Sequence, residues 1–62
     1  MTKAEKQNWI INLEDIVTQV DTVTVRFICA KYGASDIYEL SPYNYQEAWN
    51  ELYYYAIEDN DN

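Results

Sequence analysis

Sixty-two residues with a formal net charge of −7 allow one domain at most, and so short a chain buries only about 60% of its unfolded surface. The single cysteine excludes an internal disulfide and is typical of a protein in the reducing cytoplasm. No apolar run approaches the roughly 20 residues that cross a bilayer, and the acidity argues against membranes and against direct binding to nucleic acid, since phosphates require Lys and Arg.

A first helix is predicted from about residue 3 to residue 19. Thr2 and Glu5 have the spacing of a capping box, with Thr2 as the N-cap. The apolar residues that follow recur at intervals of three and four, which is the spacing of one buried helical stripe. They are Trp9, Ile10, Leu13, Ile16, Val17 and Val20.

Residues 20–29 allow two interpretations. Apolar side chains alternate along this segment, which is typical of a strand. The helical interpretation uses Asp21 or Thr22 as the N-cap and Gly33 as a left-handed stop. Its inner stripe would consist of Val23, Phe27 and Ala30. Because a lone strand must pair with a second chain, the helix is favoured, with an intermolecular strand as the alternative.

A short turn and a third helix follow. Ile37 and Leu40 are predicted to point inward from the turn. Ser41 and Pro42 form a helix start, with Ser as N-cap and Pro at the first helical position. The helix is predicted over residues 42–57. Its core stripe consists of Tyr45, Trp49, Leu52 and Ala56.

The predicted fold is therefore all-α, a small three-helix bundle with a short helical turn before the last helix. We expect a single helical domain over residues 1–58 and a frayed acidic tail over residues 59–62. The chain has no histidine to activate a thiol or hold a metal, so Cys29 is predicted to be a core residue. Neither enzymatic activity nor a metal or other cofactor is expected.

All of the net charge lies in the second half of the chain. From residue 34 onward there are seven acids and no Lys, Arg or His, whereas residues 1–33 carry four acids and four bases. We therefore expect no Lys to relieve the repulsion between Glu47 and Glu51, which lie one helical turn apart. Their axial separation of about 6 Å is close to the roughly 7 Å between successive phosphates on one strand.

These acids and the nearby tyrosines define a predicted partner-binding surface. On the third helix, one stripe opposite the core has the offsets 0, 3, 7, 10 and 14. It consists of Asn44, Glu47, Glu51, Tyr54 and Glu58. Tyr43, Asp36 and Glu39 are predicted to extend it. A surface of carboxylates and phenols suits a strongly basic protein partner.

Residues 31–42 (KYGASDIYELSP), followed by Tyr45 and by residues 49–52 (WNEL), resemble a short helical segment common in small proteins of bacteriophages and of mobile elements in Gram-positive bacteria. In its small size, acidity and tyrosine content, the chain resembles anti-CRISPR inhibitors of Cas9. This resemblance implies a non-enzymatic inhibitor in a bacterial host cell. It would imitate duplex nucleic acid in the basic cleft that reads the protospacer-adjacent motif.

Other functions share parts of this pattern. A restriction enzyme is a second possible target of such a mimic, and an antitoxin that neutralises a basic toxin would need similar electrostatics. A small acidic adaptor or regulatory subunit, self-associating through its aromatic residues, is the alternative from a different class. The protein is expected to be a monomer or a homodimer.

Overall fold

The computed structural model describes residues 1–60, and the side chains of residues 1–58. Over this range the elements are α1 (Lys3–Val17), α2 (Thr22–Lys31), a first 3-10 turn (Ile37–Glu39), a second 3-10 turn (Pro42–Asn44) and α3 (Tyr45–Asn60). No strand occurs in this part of the chain. The predicted all-α, three-helix fold is thus confirmed, and the strand alternative for residues 20–29 is wrong.

α1 begins with the predicted capping box. Thr2 Oγ1 accepts a hydrogen bond from the Glu5 backbone N–H at 3.1 Å, and Glu5 Oε1 accepts one from the Thr2 N–H at 3.4 Å. The helix ends at Val17, two residues before the predicted boundary. The predicted stripe is confirmed. Leu13, Ile16 and Val20 are buried, and Trp9, Ile10 and Val17 are partly buried against them.

α2 begins and ends where the helical interpretation placed its signals. The Asp21 side chain accepts a hydrogen bond from the Val23 N–H at 3.0 Å. At the other end, Gly33 has a φ of 74°. The Gly33 N–H donates to Ala30 O and the Ala34 N–H to Cys29 O, both at 3.0 Å. This pair of bonds is a Schellman motif, which explains why glycine follows the helix.

The buried face of α2 differs from the prediction. Ile28 and Cys29 have no exposed surface, whereas Val23 and Phe27 are 72% and 64% exposed. The expected inner stripe of Val23, Phe27 and Ala30 is therefore wrong, since all three side chains are exposed. Both faces of this short helix carry apolar residues, so their spacing alone does not distinguish the inner face.

The segment before α3 contributes Ile37 and Leu40 to the core, as predicted. The Ser41 hydroxyl accepts a hydrogen bond from the Tyr43 N–H at 3.4 Å, but the turn that follows Ser41 is 3-10 rather than α-helical. α3 itself begins at Tyr45 and continues to Asn60. Residues 59 and 60 of the predicted tail are thus helical in backbone, while residues 61 and 62 lie outside the described residues.

α3 packs chiefly against α1 and less extensively against α2. The predicted stripe is confirmed for three buried side chains and for the partly buried Trp49. The three are Tyr45, Leu52 and Ala56. Ala48, which is fully buried, was not predicted. None of the helices in the described range is both long enough and apolar enough to cross a membrane.

Candidate functional site

The outward side of α3 carries an acidic face, defined here as Glu47, Tyr54 and Glu58. All three side chains are exposed, and Tyr54 is 64% exposed. Their positions on the helix fall within a sector of roughly 40°, on the side away from the buried Leu52. Within the described part of the chain, no ion pair reaches either carboxylate. The structure therefore brings these three predicted residues together on one exposed surface.

Glu51 belongs to the same predicted stripe but is engaged with α2. Its side chain is partly buried. The Lys31 ammonium forms an ion pair with Glu51 Oε1, and the Tyr32 hydroxyl donates a hydrogen bond to Oε2. The expectation that no Lys relieves the Glu47–Glu51 pair is therefore wrong. These contacts connect the end of α2 to the middle of α3, so Glu51 helps to hold the two helices together.

The three groups shift one another's pKa values in the directions that strengthen the contacts. The hydrogen bonds from Lys31 and Tyr32 lower the pKa of Glu51. The hydrogen bond to Glu51 raises the pKa of Lys31. It also raises the pKa of Tyr32 to about 12, with smaller contributions from desolvation and from the charges of Glu51 and Glu47. At neutral pH, Glu51 is thus ionised and Tyr32 is a neutral donor.

Asp36 and Glu39 have local roles in the first 3-10 turn. Asp36 Oδ1 accepts hydrogen bonds from the backbone N–H groups of Tyr38 at 2.9 Å and Glu39 at 3.1 Å. Glu39 Oε2 accepts one from the Ser35 N–H at 3.1 Å. Both acids are exposed, but none of these contacts joins them to the acidic face. Capping of the turn accounts for the position of each carboxylate, so neither position requires a partner protein.

Asn44 and Tyr43 lie on the second 3-10 turn rather than on α3. The prediction that Asn44 starts the helical stripe is therefore wrong in geometry, because a 3-10 turn does not continue the α-helical spacing. Tyr43 is 92% exposed and lines a shallow hollow together with Met1, Glu5 and Pro42. Tyr43 thus lies near the start of α1, on a separate part of the surface.

An aromatic edge, defined as Trp49, Tyr53 and Ile57, runs along α3 beside the acidic face. The rings of Trp49 and Tyr53 are stacked, with centroids 4.9 Å apart and an interplanar angle of 11°. Tyr53 and Ile57 are 46% and 49% exposed. The sequence analysis predicted Trp49 as a core residue and did not predict that its ring stacks on Tyr53. The spacing of four residues between the members of the edge was the signal that could have found it.

The α2 stripe, defined as Val23, Phe27 and Ala30, is a second exposed apolar surface. Arg26 and Lys31 lie on opposite flanks of it, as their positions on the helix require. Cys29 is buried, and burial followed by the charge of Asp36 raises the pKa of its thiol, which makes it a poor nucleophile.

Among the residues that the structure describes, no group of three or more His, Cys, Asp or Glu side chains is arranged to hold a metal ion. An open hollow of about 500 Å³ runs along α1 and is lined by Lys3, Lys6, Gln7, Ile10 and Ile11. Comparison of the chain with protein-family models, with curated proteins and with solved structures finds no match. The surfaces of α2 and α3 therefore provide the basis for a functional proposal.

Proposed function

We propose that the protein is a non-enzymatic inhibitor, an acidic mimic of nucleic acid whose acidic face occupies a basic DNA-binding cleft of a host defence nuclease. Cas9 is the leading candidate, and the consequence would be a block of protospacer-adjacent motif and target DNA binding. The observation that supports this most directly is the pair of exposed carboxylates of Glu47 and Glu58 beside the exposed ring of Tyr54.

The charge balance of the surface supports the same proposal. Seven acids follow residue 33, and Lys31 is the one cation that pairs with any of them in the described part of the chain. An uncompensated anionic surface attracts a cationic cleft over long range and accelerates association in a salt-dependent way. Such a surface in a small domain favours a partner over a purely structural role.

The side chains of a DNA-binding cleft are chemically complementary to the carboxylates and the phenol of the acidic face. Arg side chains positioned for phosphates and guanine edges bind carboxylates through paired, charge-assisted hydrogen bonds. Guanidinium groups also stack on aromatic rings. Glu47 and Glu58 would take the places of phosphates, and Tyr54 would stack on a guanidinium group between them. DNA would then be excluded without any chemical step.

The test is a competition assay with purified Cas9 and its guide RNA. Binding of a duplex that contains the protospacer-adjacent motif is measured as the wild-type protein is added, in about 0.15 M salt. The informative variant is Glu47→Gln/Glu58→Gln. A matched control, Glu5→Gln/Asp15→Asn, makes the same change in net charge on α1 and keeps a side chain that can complete the capping box.

We expect the α3 double variant to inhibit at least tenfold more weakly than wild type, since each interfacial charge-assisted bond contributes more than about 1 kcal/mol. The control should stay within about twofold. Equal effects of the two variants would show that only net charge matters. If the wild-type protein leaves DNA binding unchanged, Cas9 is not the target. Glu51 is not substituted here because its loss would also weaken the α2–α3 contact.

A second candidate function is a small acidic adaptor or regulatory subunit that self-associates. Its support is the exposure of Val23 and Phe27, because contiguous apolar surface on a small protein marks an interaction site. An adaptor of this kind would bind its partner through apolar contacts and would depend little on salt, whereas the mimic would dissociate as salt rises.

A further inference from the structure

The α2 stripe differs in character from the acidic face of α3. Val23 and Phe27 are 72% and 64% exposed, and Ala30 lies beside them on the same side of the helix. The flanking side chains, Arg26 and Lys31, are cations in a protein of net charge −7. The stripe therefore fits a partner surface that is apolar and aromatic at its centre and acidic at its rim.

Packing of two α2 stripes against each other does not meet this requirement. In an antiparallel pair of identical helices related by a twofold axis, each flank meets the same flank of the other copy. Arg26 would then face Arg26 of the second copy, and no acid of α2 lies on that flank. Like charges placed together in an interface are unfavourable.

α3 offers the complementary surface. The acidic face combines the exposed ring of Tyr54 with two carboxylates that form no ion pair among the described residues, and the aromatic edge lies next to it. The contact between Lys31 and Glu51 places the flank of α2 beside the flank of α3. The α2 stripe and the acidic face are thus neighbours on one side of the molecule, which is the arrangement that a reciprocal twofold contact requires.

We propose that this side of the protein binds a second copy of the chain, with the α2 stripe of each copy packed on the acidic face of the other. Phe27 packs against Tyr54 of the second copy, and Arg26 lies next to the carboxylates of the acidic face of that copy. Aromatic pairs at the centre and charges at the rim are the usual anatomy of a stable interface.

Such a dimer would cover a modest share of the surface of the chain. A stable dimer buries about 800 Å² per partner, which is less than a fifth of the 4451 Å² accessible surface of the chain. The dimer is inferred from the two exposed surfaces alone. One consequence rests on the proposed function. Because the acidic face is used in both contacts, a basic partner and the second copy compete for it.

The test is the oligomeric state of the full chain, measured by sedimentation velocity over a concentration series up to about 200 µM, since interfaces of this size associate in the micromolar range or more tightly. Phe27→Ser and Tyr54→Ala should each raise the dimer dissociation constant at least tenfold. The control is Ile11→Ser on α1, whose side chain is 59% exposed and outside the proposed interface. Far-UV circular dichroism checks that each variant remains helical.

Mixing the two variants makes the test specific. Each variant alone damages both halves of the reciprocal interface, but a mixed dimer contains one half in which an intact α2 stripe meets an intact acidic face. The mixture should therefore dimerise more strongly than either variant alone. If the dimer formed through α2 alone, Tyr54→Ala would leave its dissociation constant unchanged. If it formed through α3 alone, Phe27→Ser would leave that constant unchanged.

A wild-type protein that stays monomeric at about 200 µM would overturn the inference, and so would a mixture that gains nothing over its components. Either result leaves the inhibitor proposal intact, because the competition assay with Cas9 tests that separately. Conversely, a dimer with the expected mixing behaviour stands even if Cas9 is not inhibited.

Discussion

Replacement of Tyr45 by Phe should stabilise the protein. Tyr45 is 1% exposed, and its hydroxyl has no hydrogen-bond partner among the described residues. A buried hydroxyl without a partner costs about 1–3 kcal/mol. Its removal leaves a void of roughly 15 Å³, which costs about 0.4 kcal/mol at roughly 24 cal/mol per Å³. The net gain in the free energy of unfolding is about 0.6–2.6 kcal/mol.

The assay is urea and thermal unfolding followed by far-UV circular dichroism. For a domain of this size, each 1 kcal/mol raises Tm by about 4–8 °C, so the shift is well within detection. Tyr53→Phe is the control, since Tyr53 is 46% exposed and its hydroxyl is free to bond to solvent. A Tyr45→Phe variant that is less stable than wild type would refute the reasoning, because it would place a hydrogen-bond partner on the hydroxyl.

Two further predictions concern the ends of α2. The hydrogen bonds from Lys31 and Tyr32 lower the pKa of Glu51 in the folded protein. The contribution of Glu51 to the free energy of unfolding is therefore complete above the ordinary pKa of about 4.5, and it is lost as the pH falls through the folded-state pKa. Glu51→Gln should therefore lower the free energy of unfolding by about 0.5–1 kcal/mol at pH 7, and by progressively less below about pH 4.5. Urea unfolding of both proteins across pH measures this difference, and a difference that stays constant with pH would contradict the prediction. Gly33→Ala should lower the free energy of unfolding by about 1–2 kcal/mol, because an alanine is strained at a φ of 74°. No atom lies within 4 Å of the added Cβ, so no steric clash adds to this cost. An unchanged urea midpoint would show that the Schellman motif relaxes freely.

Local signals were enough to predict α1 and most of α3. Thr2 with Glu5 marks the start of α1, and Ser41 with Pro42 marks the start of the 3-10 turn that leads into α3. The capping bonds reach backbone groups only a few residues away, so no tertiary information was needed. α2 was harder because apolar residues occupy both of its faces. Which face is buried depends on how the helix meets the rest of the chain, and spacing along α2 does not carry that information.

In the candidate site, too, local features could be predicted from the sequence whereas contacts between distant residues could not. The exposure of Tyr54 followed from the helical wheel, because three consecutive tyrosines cannot all face the core. The pairing of Glu51 was missed because its partner, Lys31, lies 20 residues earlier in the chain. The spacing within one helix reveals repulsion between like charges on that helix. It does not reveal an ion pair with a residue of another helix. The capping bonds of Asp36 and Glu39 were not predicted either, since they depend on the geometry of the first 3-10 turn.

The buried thiol of Cys29 makes transient opening of this protein directly measurable. Its side chain has no exposed surface, and it is the chain's lone cysteine. A thiol reagent can modify it only in molecules whose helices have separated, so the rate of modification under native conditions reports the population of opened molecules. Stability can then be followed at low concentration, in the presence of a binding partner, without denaturant or an attached probe.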